Sequence, residues 1–314
     1  MAAQKHDTVL WARRADVAER INQDRRNEQY LPEAALPDNL TVTSDLEAAV
    51  GVAETLVMGV PSHGYRQVLA RAAAAVPAGA AILSLTKGIE QGSLKRMTEV
   101  TREELPDHNP DIIGVLSGPN LAHEVMAGQP AATVIAMADT DRARALQDVF
   151  MSPSFRVYTN TDVIGCEIAG SLKNVMAIAA GMARGLGFGD NTMATLVTRA
   201  LAELTRLGVA MGGELPTFSG LAGMGDLIAT CVSSQSRNTR VGTELGKGRT
   251  LVEITSEMNM VAEGVKTTRA VLDLADSHGI EMPIAHQVGR VLYEGAGPRD
   301  AVLALMTREA KSES

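Results

Sequence analysis

The hydrophobic and polar positions of this chain follow a different pattern in each half. In the first half, short continuous apolar runs alternate with stretches whose apolar residues recur at helical spacing. Strands that are apolar on both faces and separated by helices indicate a parallel sheet covered on both sides. The apolar runs predict strands at 8–11, 40–43, 54–60, 81–86, 112–116 and 132–136, and the helical spacing predicts helices at 15–26, at 63–75 and after Ser44 or Asp45.

The pattern changes after about Tyr158, where helical periodicity takes over. A long helical region is predicted over 167–211, and glycine clusters at 212–213 and 220–225 follow it. Further helices are predicted over 251–257, 264–277, 284–294 and 299–311. We therefore expect an α/β nucleotide-binding domain at 1–160 and an all-helical substrate domain at 161–314, with a substrate pocket where the two domains meet.

The first apolar run predicts the second strand of a dinucleotide-binding domain rather than its first. The strand 8–11 ends at Ala12, Arg13 and Arg14, where residues of such domains contact the adenosine ribose. Only seven residues precede Thr8 and none is Gly, so the Gly-x-Gly-x-x-Gly turn is absent from its place. We expect a Rossmann-like fold whose first strand and glycine-rich turn, about 20 residues, are missing, with the neighbouring strands left unpaired on one side.

Composition narrows the class of partner. The net charge of −8 argues against non-specific binding of nucleic acid, but it allows a local cationic pocket for a small anionic substrate. Cys166 and Cys231 form no disulfide framework, which fits a reducing cytosol. We see no run of about 18 apolar residues and no apolar region of the kind found in secretion signals, so a cytoplasmic protein without a membrane-inserted segment is expected. His123, His278 and His286 lack the spacing of a metal site.

Two predicted strands end in residues suited to ligand contact. Lys87 follows the strand 81–86, at the carboxyl end where α/β folds place ligand-binding residues, although a solvated loop lysine is the alternative. The strand 112–116 is followed by the segment 117–122, and backbone N–H groups at the start of the next helix favour anions. In that segment Asn120 is equally well explained as a helix cap.

The helical half supplies two further polar groups. Lys173 shares a helix face with small and apolar residues, so it either lines a cleft or extends to the solvent. If it is buried, desolvation lowers its pKa toward the range useful for proton transfer at neutral pH. Ser236, Arg237 and Asn238 combine an arginine fork with neutral donors, which suits a phosphate. Asp226 precedes them, and a structural ion pair between Asp226 and Arg237 is the alternative.

These segments together resemble one family, the bacterial NAD(P)-dependent glycerol-3-phosphate dehydrogenases. The resemblance extends in order and spacing over nearly the whole chain, from Val9 to Met306. Each motif alone is weak, whereas the full set in register is specific. The matching segments are Leu-Trp-Ala-Arg-Arg at 10–14, Asn27 to Pro32, Thr-Lys-Gly-Ile-Glu at 86–90, Ser-Gly-Pro-Asn at 117–120, Phe-Arg-Val-Tyr at 155–158, Leu-Lys-Asn-Val at 172–175, Gly-Leu-Ala-Gly-Met-Gly-Asp at 220–226, Ser-Arg-Asn at 236–238 and Val-Ala-Glu-Gly at 261–264.

The resemblance implies an oxidoreductase that interconverts dihydroxyacetone phosphate and sn-glycerol 3-phosphate with NADPH or NADH, and supplies glycerol 3-phosphate for phospholipid synthesis. It implies that Lys173 donates and accepts the proton. The substrate-binding residues that it implies are Lys87, Gly118, Asn120, Lys173, Asp226, Ser236, Arg237 and Asn238. The cofactor-binding residues that it implies are Arg13, Lys87, Ala122, Arg237, Val261 and Glu263.

Cofactor preference depends on the end of the strand 8–11. An acidic residue there would suit a free ribose 2′-hydroxyl, whereas Arg13 and Arg14 suit a 2′-phosphate. We therefore count Arg14 with the cofactor-binding residues and expect NADPH to be preferred over NADH. An Arg14 side chain that only faces the solvent is the alternative.

Two other hypotheses stay open on the sequence alone. The missing glycine-rich turn allows a truncated, non-catalytic fragment of the family, which micromolar binding of NADPH would exclude. A related 2-hydroxyacid or ketopantoate-type reductase would share the two-domain plan, although the phosphate site at 236–238 argues against it. A homodimer is compatible with the sequence, which does not fix the oligomeric state.

Overall fold

The computed structural model describes residues 2–258 and 262–309. The chain forms two compact units, Met1–Thr86 with Met97–Val163, and Lys87–Arg96 with Ile164–Ser314. From the sequence we expect one division, at residue 160; in the structure it falls at Val163, and the segment 87–96 is a part of the second unit as well. Lys87 is therefore a residue of the helical unit.

The first unit alternates strands and helices, and the Rossmann-like α/β fold predicted from the apolar runs is confirmed. Asp45 rather than Ser44 caps the second helix, where its carboxylate accepts the N–H of Ala48 at 3.0 Å. The elements in chain order are β1 (Thr8–Trp11), α1 (Ala15–Asp24), β2 (Arg26–Asn27), β3 (Leu31–Ala35), β4 (Leu40–Thr43), α2 (Leu46–Val50), β5 (Thr55–Met58), α3 (Ser62–Ala72), β6 (Ala81–Ser84), α4 (Met97–Glu104), β7 (Ile113–Ser117), α5 (Ala122–Met126), β8 (Ala131–Ala136), α6 (Thr140–Phe150) and β9 (Phe155–Asn160).

The main sheet has the strand order β5-β6-β7-β8-β9. The first three strands are parallel, and β6 and β7 are buried along their whole length, as continuous apolar runs predict. β8 runs antiparallel to β7, so the expectation of a parallel sheet is wrong at this strand. The two strands are connected by the segment 118–130, whose helix α5 has five residues. A continuous apolar run predicts that a strand is buried but not its direction, which is why the sequence reasoning fails here.

β1 and β4 form a separate parallel pair. Within the described residues β1 is paired with β4 alone, and β5 with β6 alone. Apolar side chains on these strands are partly exposed, with Val9 at 39%, Leu10 at 40% and Val57 at 41%. From the sequence we expect the neighbours of a first dinucleotide-binding strand to be unpaired on one side, and β1 and β5 each have such an edge.

Three strands, β2, β3 and β9, are not predicted from the sequence. β2 and β3 form a short antiparallel hairpin, where polar residues and Pro32 hide any apolar alternation. β9 pairs in parallel with β8. Its signal is present in the sequence, because Phe155 and Val157 are buried while Arg156 and Tyr158 are exposed, a period of two.

The second unit is built of helices, as predicted. The predicted helical region 167–211 is two helices, separated by a turn in which Gly187 has a φ of +82°. The final predicted helix ends earlier than expected, and residues 310–311 lie outside the described residues. The helices are α7 (Val163–Gly185), α8 (Asp190–Ala210), α9 (Leu215–Phe218), α10 (Asp226–Val232), α11 (Arg237–Gly246), α12 (Leu251–Ser256), α13 (Glu263–Ser277), α14 (Pro283–Tyr293) and α15 (Pro298–Met306).

α7 is the central helix of the second unit. Nearly all of its residues are buried, as expected for a helix that is apolar on all sides. α11 packs directly against its backbone, since a Cβ atom on Gly181 would clash with the carbonyl oxygen of Thr239, and one on Gly242 with that of Ile178. The two glycines therefore allow α11 to approach the helix that carries Lys173.

A buried carboxylate holds the start of α14. Glu203 on α8 is 3% exposed, and it accepts the backbone N–H of Ile284 at 2.8 Å and of Ala285 at 3.4 Å. It thereby satisfies N–H groups that a helix start leaves without partners. Burial raises the pKa of Glu203 from 4.5 to about 7, although the two backbone hydrogen bonds act in the opposite direction.

Two stretches of the described residues are long and apolar enough to cross a membrane, Val163–Gly185 and Leu215–Val232. No such run is evident from the sequence, because Glu167 and Lys173 interrupt the first. In the first stretch 89% of the apolar window is buried within the chain, which is typical of a core helix, against 44% in the second. The second stretch comprises α9, a π-helical turn and α10.

Candidate active site

Lys173 lies in the middle of α7, and its side chain is only 7% exposed. The alternative of a lysine that extends to the solvent is therefore wrong. Its Nζ atom donates to Asp226 Oδ1 at 2.5 Å and to Thr230 Oγ1 at 2.6 Å. A lysine charge is tolerated in a protein interior when a carboxylate pairs with it, and Asp226 is that partner.

Asp226 is the first residue of α10 and follows a π-helical turn, Leu221–Gly225. A Cβ atom on Gly223 would clash with the backbone of Phe218, so this turn requires glycine. The glycine cluster thus allows the tight turn that precedes Asp226. The side chain of Asp226 is 3% exposed. Such turns occur often at functional sites.

Asp226 binds two lysines at once. Its Oδ1 atom accepts from Lys173, and its Oδ2 atom accepts from Lys87 Nζ at 2.6 Å. Thr230 lies four residues later on α10, accepts from Lys173 and donates to Asp226 Oδ1 at 3.4 Å. Lys87, Lys173, Asp226 and Thr230 are called the lysine cluster below. The ionic partners that the structure shows for Asp226 are these two lysines, whereas Arg237 is the alternative that the sequence leaves open.

The two charge types in the lysine cluster alter each other's protonation. Burial lowers the pKa of Lys173 from 10.5 to about 8; Asp226 opposes this shift, and the like charge of Lys87 adds to it. Burial alone would raise the pKa of Asp226, but Lys173 and Lys87 together hold it below its ordinary value. At neutral pH the carboxylate is therefore ionised, and Lys173 is an ammonium that releases its proton more readily than an exposed lysine.

A chain of hydrogen bonds beside the lysine cluster connects three helices. Asn174 Nδ2 donates to the carbonyl oxygen of Lys87 at 3.0 Å, and Asn238 Nδ2 donates to Asn174 Oδ1 at 3.0 Å. Asn238 Oδ1 in turn accepts the N–H of Gly264 at 2.9 Å. A Cβ atom on Gly264 would lie 2.5 Å from the carbonyl oxygen of Asn174, so only glycine fits. This chain fixes the start of α13, where Glu263 is the first residue.

Ser236 and Arg237 lie at the start of α11. Ser236 is buried and caps the helix, because its Oγ atom accepts the N–H of Thr239 at 3.2 Å; its hydroxyl proton can still be donated. Arg237 is the first helical residue and is exposed. The structure brings Ser236, Arg237 and Asn238 to one helix start. Val261, the remaining cofactor residue predicted in this half, lies outside the described residues.

Gly118, Asn120 and Ala122 belong to the first unit, just after β7. Gly118 has a φ of +142°, and a Cβ atom there would lie 3.1 Å from the Cα atom of Thr133. Asn120 Nδ2 donates to Thr133 Oγ1 at 3.4 Å. Asn120 is not a helix cap, because Leu121 occupies the cap position of α5. Ala122 is the first residue of α5 and is exposed.

Polar residues lie at the ends of two strands of the first unit, β1 and β7, where α/β folds bind dinucleotides. Arg13 and Arg14 follow β1 and are both exposed; Arg14 Nε lies 3.9 Å from Asp16 Oδ1. At the end of β7 the Ser117 hydroxyl is buried and, within the described part of the chain, has no hydrogen-bond partner. Unpaired buried hydroxyls are uncommon in native proteins, and Ser117 is such an exception at the end of β7.

Thr230 and Asn174 contact candidate site residues, and the sequence reasoning assigns neither of them a role. Thr230 has a sequence signal, since a spacing of four residues from Asp226 puts both side chains on one helix face. Asn174 follows Lys173 and points about 100° away around the helix, so no shared face connects the two. In the parts of the chain that the structure describes, no group of three His, Cys, Asp or Glu side chains is placed to hold a metal ion.

A Rossmann-like unit and a helical unit with a buried lysine of lowered pKa together define the class of NAD(P)-linked dehydrogenases. Family models of NAD-dependent glycerol-3-phosphate dehydrogenase match the chain twice, the N-terminal model over residues 1–143 and the C-terminal model over 162–303. The chain belongs to the NAD-dependent glycerol-3-phosphate dehydrogenase family, so the family predicted from its motifs is confirmed.

Individual relatives are similar over most of their length. A glycerol-3-phosphate dehydrogenase of Sphingopyxis alaskensis is 58% identical over 279 residues, which are 89% of this chain and 83% of that protein. One of Salinibacter ruber is 50% identical over 313 residues, 100% of this chain and 91% of that protein. The crystal structure of glycerol-3-phosphate dehydrogenase from Coxiella burnetii has a TM-score of 0.91 at 38% identity, over 96% of this chain and 91% of that one.

Proposed function

We propose that the protein reduces dihydroxyacetone phosphate to sn-glycerol 3-phosphate with NAD(P)H, catalyses the reverse oxidation, and supplies glycerol 3-phosphate for phospholipid synthesis. The lysine cluster is the observation that carries this proposal. Reduction of a ketone needs a proton donor beside the oxygen on which negative charge develops. Lys173 is such a donor, since it is buried, is held by Asp226 and has a pKa of about 8.

In the direction of reduction, Lys173 donates its proton to the substrate oxygen as charge develops there. A pKa of about 8 suits this step, because the amine is mostly protonated at neutral pH and still gives up its proton readily. Asp226 and Thr230 fix the position of the Lys173 ammonium group, and Lys87 adds a second positive charge near the same carboxylate. When bound, the nicotinamide ring supplies the hydride.

The substrate phosphate would bind at the start of α11. Arg237 offers an exposed guanidinium that can form two parallel hydrogen bonds with a phosphate, and Ser236 offers a neutral donor. Gly118 and Asn120 of the first unit are proposed as further substrate-binding residues. A substrate whose phosphate is held at the start of α11 has its reacting carbon fixed in orientation. Binding energy is thereby used to increase the rate.

The cofactor would be held by residues from both halves of the sequence. Arg13 and Arg14 would contact the adenosine ribose and its 2′-phosphate, and Ala122 would approach the cofactor through its backbone. Lys87, Arg237, Val261 and Glu263 would contact the cofactor as well. Their exposure or half-burial, where the structure describes them, is compatible with ligand contact.

Substrate choice tests this proposal. We expect NADPH oxidation with dihydroxyacetone phosphate, and a kcat/KM at least about 10²-fold lower with dihydroxyacetone, because loss of the phosphate removes the binding energy that orients the ketone. Ketopantoate serves as the comparison for the alternative reductase. Efficient reduction of ketopantoate, or equal use of the unphosphorylated ketone, would show that the proposed substrate is wrong.

A second prediction concerns the two arginines after β1. We expect the wild type to prefer NADPH over NADH, and Arg13→Gln with Arg14→Gln to lower kcat/KM for NADPH by roughly tenfold or more, since a hydrogen bond to a charged group contributes about 1.5–3 kcal/mol. The value for NADH should change little. Arg144→Gln removes a similarly exposed arginine of the same unit and serves as the control. Equal kcat/KM for NADPH and NADH in the wild type would contradict the prediction.

A cytoplasmic location and a homodimeric assembly stay predictions. In support of the first, the more apolar of the two long stretches, Val163–Gly185, has 89% of its window buried within the chain, as a core helix does. Size-exclusion chromatography with light scattering would measure the assembly.

A further inference from the structure

The segment 87–96 forms a compact turn that starts at Lys87 and ends at Arg96. Ile89 and Arg96 form an antiparallel bridge, and Glu90 N donates to the carbonyl oxygen of Lys95 at 2.9 Å. Gly92 has a φ of +85°, which the reversal of the chain requires. Because its two ends are paired with each other, a shift of one end of the segment also moves the other end.

α7 binds both ends of this segment. Asn174 Nδ2 holds the carbonyl oxygen of Lys87 at 3.0 Å. Glu167 Oε2 holds Arg96 Nη1 at 3.0 Å in an ion pair whose side chains are 1% and 9% exposed. Glu167 and Asn174 are two helical turns apart, about 10 Å along one face of α7. The helix that carries Lys173 thus also sets the position of the segment that carries Lys87.

We propose that Arg96 and Glu167 are a positioning pair, which holds the segment 87–96 in register along α7 and thereby keeps the Lys87 ammonium group on Asp226 beside Lys173. The buried ion pair is well suited to this role, because both side chains are almost fully buried and a charged hydrogen bond at 3.0 Å fixes their relative position. The neighbouring core contact of Ile89, which is 1% exposed, would not fix the register alone, since an apolar contact has no direction. The catalytic meaning of the pair rests on the proposed function, whereas its effect on Lys87 does not.

The pKa of Lys173, measured by NMR titration of labelled lysine side chains in the full chain without cofactor or substrate, tests the proposal. Lys87 lowers the pKa of Lys173, so Lys87→Met should raise it and mark the full effect of losing the Lys87 charge. Glu167→Gln and Arg96→Met should raise it by a measurable part of that shift, and Arg96→Lys, which keeps the charge but not the shape of the guanidinium group, should raise it by a smaller but measurable amount. In assays, kcat/KM should fall by up to about 10²-fold, with Tm lowered.

Glu203→Gln is the matched control, because Glu203 is also a buried carboxylate of the second unit but holds α14 instead. We expect it to lower Tm and to leave the pKa of Lys173 unchanged. A wild-type pKa in folded Glu167→Gln and Arg96→Met would overturn the proposal, as would an unchanged pKa in Lys87→Met. If the stronger variants do not fold, Arg96→Lys alone decides, since it must show a smaller upward shift than Lys87→Met and not none. Inactivity of the wild type on dihydroxyacetone phosphate would refute the proposed function and leave this result standing.

Discussion

Replacement of Lys173 by alanine is expected to reduce kcat for dihydroxyacetone phosphate by roughly 10²- to 10⁴-fold, the range that a positioned general acid contributes. Lys173 is the buried amine of the lysine cluster, and Asp226 remains paired with Lys87 after the substitution. The carboxylate is therefore not left unpaired, and we expect the fold to persist. Steady-state kinetics in both directions and far-UV circular dichroism measure the two effects.

The pH dependence of the wild type follows from the same amine. Reduction needs the ammonium form of Lys173, so its rate should fall as the pH rises through about 8. Oxidation of glycerol 3-phosphate needs the neutral amine, so its rate should fall as the pH drops through about 8. If the rates of reduction and oxidation change in opposite directions around the same midpoint pH, a single group is the acid in one direction and the base in the other.

An exposed lysine provides the control for this variant. Lys247 lies on the surface and pairs with Glu244, so Lys247→Ala should change kcat little. Lys173→Ala activity above a few per cent of the wild-type value would contradict the acid–base role. Pronounced loss of circular dichroism in Lys173→Ala would show instead that the amine is needed for folding.

Much of the fold is predictable, because its strongest elements carry regular patterns. β6 and β7 are continuous apolar runs, and α7 is apolar on all sides, so burial dictates both. The antiparallel β8 is not predictable from its own residues, since an apolar run predicts a buried strand but not its direction. The hairpin of β2 and β3 is held by pairing within a polar segment, which leaves no apolar period.

The site is predictable in its residues but less so in its partners. Lys173, Asp226 and Lys87 are each identifiable from the sequence. However, Asp226 is 53 residues from Lys173 and 139 residues from Lys87 along the chain, so their pairing is not evident. Spacing within a helix predicts neighbours, as for Asp226 and Thr230, whereas long-range pairing depends on how helices pack. The sequence therefore suggests the nearby Arg237 as a partner of Asp226, whereas the structure shows the distant Lys87 and Lys173 in that role.

Replacement of Asp226 by asparagine has the second large effect. The substitution keeps the shape and one acceptor oxygen, but it leaves the ammonium groups of Lys87 and Lys173 without their carboxylate in a buried site. Breaking a buried ion pair in this way costs about 3–5 kcal/mol, so we expect a loss of stability of this order at neutral pH. Because Asp226 raises the pKa of Lys173, its loss should also move the alkaline limb of the reduction profile to lower pH.

The difference in the free energy of unfolding between wild type and Asp226→Asn should decrease both when the pH is lowered and when it is raised. The pKa of Asp226 is lowered in the folded protein, so its contribution is present above the ordinary carboxyl pKa and is lost on acidification. In the variant the pKa of Lys173 is lower than in the wild type, so the amine becomes neutral as the pH rises towards about 8, which removes part of the repulsion and reduces the difference. The difference in urea denaturation, followed by circular dichroism, should thus be largest near neutral pH. Asp273→Asn, at an exposed aspartate of the same unit, should stay within about 0.5 kcal/mol of the wild type. A difference for Asp226→Asn that is as small, or the same at every pH, would mean that Asp226 does not balance the two lysines.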